Sequence, residues 1–264
     1  MQNSPGRIQR KIPDCEDLMH ASLPDTAAAW RSRLTAAVAP WWHTALLVLL
    51  LVSVSFLNGH RTRHGGFAAH HARLYATTLV AEWVLFLLTW WGLRMKRIHL
   101  AEVLGFRRGL RAWAEDLGVA LIFWFAAVLI LAVISLSLRL AHFASAQKAI
   151  TALAPRNGAE LLLWVALCLT AGFCEEFVFR GYFLRQFSSP IHRVWLGVLF
   201  SSLLFGVSHG YEGAAGMIVI VVYGALFCAL ALARNSLRPG MFAHAWHDIV
   251  TGIALVFLSH AHLH

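Results

Sequence analysis

Seven long apolar stretches dominate this chain, near residues 41–57, 74–93, 117–138, 161–183, 194–209, 214–233 and 240–259. Most approach the roughly 20 residues that an α-helix needs to cross the hydrocarbon core of a bilayer. Inside lipid every backbone amide must find its partner within the structure, which leaves only helices or closed barrels. Runs such as Ala45-Leu46-Leu47-Val48-Leu49-Leu50-Leu51 do not alternate in polarity as barrel strands do. The expected fold class is therefore all-α: a polytopic membrane helix bundle of about seven transmembrane helices. Two stretches are marginal. The first, 41–57, is short; 194–209 is short and carries Gly197, Ser201, Ser202 and Gly206, small residues that suit close helix packing.

Composition agrees, with 59% hydrophobic and 13% charged residues against roughly 45–50% and about 25% in soluble domains. Such a chain is neither intrinsically disordered nor a disulfide-built module, since Cys168, Cys174 and Cys228 sit inside apolar runs and read as small core residues. The net charge of +9 points away from nucleic acid, because no basic stripe interleaved with aromatics lies on one element. Lipid is the partner that explains it. If all seven stretches cross, fifteen Lys and Arg fall on the side of residues 1–40, 94–116, Arg185, Arg193, Arg234 and Arg238, and six (Arg61, Arg63, Arg73, Arg139, Lys148, Arg156) on the other. That asymmetry predicts a cytoplasmic N-terminus, and tryptophans at the run ends (Trp41, Trp42, Trp90, Trp91, Trp113, Trp195) form the expected interfacial belt. No cleaved signal peptide is expected, as the first apolar run starts at residue 41. The expected location is a bacterial cytoplasmic membrane.

The chain divides into a polar cytoplasmic arm (1–40), additional transmembrane helices (41–158) and a segment that holds most of the buried charge (159–264). Histidines at 60, 64, 70, 71, 260, 262 and 264 read as solvated loop and tail residues.

Charge at bilayer depth is rare and marks function by default. Here it comprises Glu82, the set Glu175, Glu176 and Arg180, and Asp248, with His209, His244 and His247 as accompanying imidazoles. Glu82 has no companion motif and reads as a polar contact between helices. Glu176 and Arg180 lie four apart on one helix face and can pair, which lowers the burial cost of both. Glu175 is turned about 100° away, left free and desolvated as a general base requires. The alternative, that both glutamates only bond to Arg180 or to neighbouring helices, stays equally open on this motif alone.

Phe205 and His209 share a face at the end of the fifth stretch, and His244 and Asp248 share one in the seventh. With a rise of about 1.5 Å per residue, Glu175 stands roughly 20 Å and His209 roughly 28 Å above a turn at Ser188-Ser189-Pro190. From the same side, near Arg238, His244 stands at roughly 9 Å and Asp248 at roughly 15 Å. Convergence requires tilt, and His209 is the least comfortable member.

The ordered set EExxxR at 175–180, FxxxH at 205–209 and HxxxD at 244–248 resembles the CPBP family of intramembrane proteases, the CAAX proteases and bacteriocin-processing enzymes also called the Abi family. The resemblance covers about residues 160–259. It implies hydrolysis of a peptide bond of a membrane-associated or lipidated substrate near its terminus. By position, Glu175 with His209 would activate water, Glu176 with Arg180 would hold the site in place, and His244 with Asp248 would stabilise the oxyanion. The family more often has Asn at the position of Asp248; a carboxylate donates to an oxyanion only when protonated, which leaves an orienting bond to His244 or a metal role for Asp248. Family members have been described as metal-independent and as metalloproteases. A cofactor-free site is the favoured expectation, with zinc on Glu175, His209, His244 and Asp248 as the alternative. The implied partners are prenylated proteins or precursor peptides. A transporter or proton relay using the same buried Glu, His, Asp and Arg set, and a non-catalytic scaffold, remain open at this stage.

Overall fold

The computed structural model describes residues 34–63, 71–105, 109–143 and 153–261, and every regular element among them is helical. In chain order these are α1 (Trp41–Arg63), α2 (His71–Met95), α3 (Leu100–Leu104), α4 (Leu110–Leu140), α5 (Gly158–Glu175), a π-helical segment (Glu176–Phe183), α6 (Leu184–Ser188), α7 (Val194–Ser208), a 3₁₀ turn (Gly210–Glu212), α8 (Gly213–Arg234) and α9 (Arg238–Ala261). Six spans are long and apolar enough to cross a membrane, and α7 is a shorter apolar helix. The chain is thus an integral membrane helix bundle. Its exterior carries Phe56, Ile122, Leu162 and Phe257, each more than two-thirds exposed, a surface that only lipid solvates well.

Helix ends follow from local chemistry. Asn157 caps α5 by accepting from Glu160 N at 2.9 Å, and Glu160 Oε2 accepts from Arg156 N at 2.8 Å. Gly105 ends α3 at φ 63°, and a Cβ there would meet Asn235 O at 2.2 Å. This close approach lets Leu237 N donate to Leu104 O at 3.1 Å, which fixes the start of α9. Pro239 falls in the first turn of α9, where its missing N–H leaves nothing unsatisfied.

The fourth apolar run extends further than its hydropathy indicates. Arg185, Gln186 and Ser188, which lie past the apolar run 161–183, are buried in protein. Gln186 Oε1 accepts from Val38 N and Ala39 N at 2.8 and 3.1 Å while its Nε2 donates to Ala39 O at 3.1 Å. The side-chain amide thereby satisfies three backbone groups of the segment leading into α1. Arg185 pairs with Glu102 of α3 at 3.1 Å. His71 also departs from its reading as a solvated loop residue: it is buried at the start of α2, with Nδ1 3.5 Å from Glu160 Oε2. His64, His70, His262 and His264 lie outside the described residues, as does most of the 1–40 arm.

At the end shared by α4, α8 and α9, Asp116 is fully buried. Its Oδ1 accepts from Arg234 at 3.1 Å and its Oδ2 from Arg238 Nε at 2.6 Å, with the Arg238 guanidinium 4.4 Å from the Trp113 ring. Removing one partner from a buried ion set costs about 3–5 kcal/mol because the remaining charges lose their compensation. Asp116→Ala should therefore lower the unfolding temperature of the purified protein in detergent far more than Glu115→Ala, whose exposed partner Arg111 has little to lose.

Candidate active site

At Glu176 the α-helical ladder of α5 widens into π turns, a rare geometry that recurs at functional sites. All eight residues of this segment are buried. Ser201 Oγ on α7 donates to Phe179 O at 2.7 Å, pinning the π segment to its neighbour. The pair expected from the sequence forms here: Arg180 Nη1 lies 2.9 Å from Glu176 Oε1, both side chains fully buried, and Arg180 Nη2 donates to Gly224 O at 3.3 Å. The guanidinium lies 4.3 Å from the Phe205 ring and 4.8 Å from the Phe227 ring, an arrangement suited to its planar, weakly hydrated charge. Of the two glutamates, only Glu176 is given to arginine. Glu175 Oε2 is buried without a hydrogen-bond partner.

His244 connects the two glutamates to α9. Gly240 makes this approach possible, since a Cβ there would stand 2.8 Å from Glu176 Oε2; Gly172 does the same between α5 and α9, where a Cβ would meet Ala245 N at 2.8 Å. His244 Nδ1 lies 3.1 Å from Glu176 Oε1. An ionised carboxylate only accepts, so Nδ1 is the donor. His244 Nε2 then lies between Glu175 Oε2 at 3.7 Å and Asp248 Oδ2 at 3.6 Å. Phe227 stacks on the imidazole at 5.2 Å and 27°.

His209 caps α7 instead of lying within it. Its ring packs edge-on to Phe205 at 4.9 Å, and its Nδ1 is 2.9 Å from Phe205 O. A carbonyl only accepts, so Nδ1 carries a proton; whenever the ring is neutral its lone pair is on Nε2. Ser55 of α1 holds this turn: its Oγ donates to Val207 O and accepts from Gly210 N at 3.2 Å.

Glu175, His209, His244 and Asp248 all line one cavity of about 380 Å³. Glu176 and Arg180 do not line it and sit behind it in the packed core. His209, the outlier in depth, joins the others because α7, with 15 residues, rises only about 22 Å and ends inside the bilayer thickness of about 30 Å. Glu82 departs from its reading as a contact between helices: it lines this same cavity, and its Oε2 is buried with no hydrogen-bond partner.

Other lining residues carried no signal strong enough to single them out, among them Tyr211, Glu212, Tyr223 and Trp164. Trp164 Nε1 donates to Asp248 O at 3.2 Å, and Trp124 Nε1 donates to His247 Nδ1 at 3.3 Å. The mark of Trp124 in the sequence is that it stands inside an apolar run, where an indole N–H needs a polar partner, whereas Trp164 lies near the start of its run. As for zinc, no group of three or more His, Cys, Asp or Glu among the described residues is gathered as a metal site requires.

Residues 157–250 match the family model described as type II CAAX prenyl endopeptidase Rce1-like. That segment is similar to the Rce1-like family, in line with the resemblance to the CPBP proteases drawn from the motifs. No match is found among curated proteins or among solved structures.

The buried pair gives a direct test of this geometry. Arg180→Met strands Glu176 and should cost about 3–5 kcal/mol of stability. Adding Glu176→Gln should recover a large part of it, read as unfolding temperature in detergent for the two single variants and the double.

Proposed function

We propose that this chain, with its Rce1-like segment as premise, is an intramembrane endopeptidase in which Glu175 and His209 activate water for attack on a peptide carbonyl. The observation that carries this reading is that Glu175, Asp248 and the Glu176–Arg180 pair all face one imidazole, His244, at the edge of a cavity inside an apolar bundle. Amide hydrolysis needs a base within reach of water and a donor aimed at the developing oxyanion. A Glu175 carboxylate not spent on arginine supplies the first.

Glu175 takes a proton from water as the water oxygen attacks the carbonyl carbon, and His209 Nε2 orients that water through its lone pair. The separations of 3.6 and 3.7 Å around His244 Nε2 exceed a direct hydrogen bond, so neither carboxylate holds this nitrogen. When protonated, His244 donates through Nδ1 to Glu176 and offers Nε2–H to the oxyanion. Asp248, one helical turn on, acts by orienting His244, which accommodates a carboxylate where the family more often has an amide. The proton held by Glu175 then passes to the leaving amine, and the tetrahedral intermediate collapses to acid and amine. Arg180 and Glu176 hold positions and exchange no proton with the substrate. The substrate is a membrane-associated or lipidated protein cut near its terminus.

Glu175→Gln keeps the shape and removes the base. Protein termini compared by mass spectrometry, in cells carrying the wild-type chain or this variant at matched membrane levels, should show a small set of membrane proteins losing a defined terminus. Identical termini would overturn the peptidase reading. Asp248→Asn, which retains a group that can pair with His244, should keep far more activity than Asp248→Ala.

A further inference from the structure

Four carboxylates line the cavity, Glu82, Glu175, Glu212 and Asp248, and among the described residues no lysine or arginine does. Glu175 and Asp248 stand 3.7 and 3.6 Å from His244, and Glu212 lies beside Tyr211 and His209. Glu82 is placed differently. The charged groups it faces are Glu175, Asp248 and His244, whose Nδ1 is already given to Glu176. Its Oε2 is buried with no hydrogen-bond partner. A buried oxygen left in this way is costly, and it asks for a donor that the chain itself does not supply. Glu82 stands on α2, outside residues 157–250, so the similarity to known proteases does not reach it.

Ring contacts fix the position of Glu82 relative to Glu175. Tyr75 packs on Trp164 at 5.4 Å, and Phe86 on Phe173 and Phe177 at 5.3 and 4.7 Å, so α2 runs parallel to α5. In that register Glu82 is level with Ala171, which lines the cavity with it. Glu175 is one helical turn further on, about 6 Å along the axis. An extended peptide advances about 3.3 Å per residue, so a chain cut at Glu175 brings the side chain about two residues away to Glu82. The wall there is apolar, with Leu74, Leu131 and Leu167. We propose that Glu82 is a recognition subsite that accepts hydrogen bonds from the ammonium or guanidinium of a substrate lysine or arginine about two residues from the cleaved bond. The leucines take the methylene stem, as apolar surface does for long basic side chains. A neutral isostere leaves the carboxylate oxygen unpaired and is disfavoured for that reason. The place of the cleaved bond rests on the peptidase reading; the binding of a basic side chain does not.

Binding tests it without turnover. The full chain, purified in detergent, is titrated calorimetrically with two short acetylated and amidated peptides, leucine- and alanine-rich and identical except for a central lysine or norleucine. The lysine peptide is expected to bind about tenfold tighter than the norleucine peptide, both to the wild-type chain and to Glu175→Gln. Glu82→Gln should bind the two peptides alike. Thr78→Lys, which sets a cation one turn from Glu82 on the same helix face, should also abolish the preference and serves if Glu82→Gln does not fold. Absence of lysine-peptide binding, equal affinity for both peptides in the wild-type chain, or a preference that survives Glu82→Gln overturns the inference. A lysine preference kept by Glu175→Gln, together with cellular protein termini that Glu175→Gln leaves unchanged, sinks the peptidase reading and leaves the subsite standing.

Discussion

The interior of this bundle is organised around a carboxylate and a guanidinium that neither water nor lipid can reach. Glu176 and Arg180 lie on the same π turns, and the cost of taking both charges out of water is offset by their mutual contact and by several neighbours. Gly224 supplies a carbonyl, Phe205 and Phe227 supply ring faces, and Gly240 leaves the space in which α9 draws close. α7, α8 and α9 therefore converge on one pair. Each of their motif residues is one helical turn or less from a residue that touches it: His209 from Phe205, His244 from Gly240, Asp248 from His244.

This arrangement separates position from reactivity. The charged pair is sealed in the core, while Glu175, whose Oε2 has no hydrogen-bond partner, and His209 face the cavity. His244 joins the two, with one nitrogen on the sealed pair and the other between Glu175 and Asp248. In the proposed reaction, holding the reacting groups on supports that do not themselves react would let polar chemistry operate in an apolar bundle without general exposure to water.

Much of the site was legible because its residues are so costly in lipid. A Glu-Glu-Phe-Val-Phe-Arg run in an apolar stretch has few tolerable arrangements, and the i,i+4 spacing already named the partner of Glu176. The Phe205–His209 and His244–Asp248 pairs followed from the same periodicity. Glu82 was less legible, since a carboxylate alone in a helix has no local partner from which its surroundings can be read. His71 was misjudged for a related reason: hydropathy treats polar residues as bound for water, and this one is instead buried beside Glu160, far away in sequence.

The sequence by itself determined the helices, their number and the residues that carry charge into the membrane, because length and apolarity are local properties that the bilayer imposes segment by segment. The tertiary structure alone decided the π turns, the depth at which α7 stops, and the single cavity that gathers Glu82 with the three motifs. These depend on how helices tilt and how closely glycines let them approach. Such distances arise between segments remote in sequence, and no local periodicity encodes them.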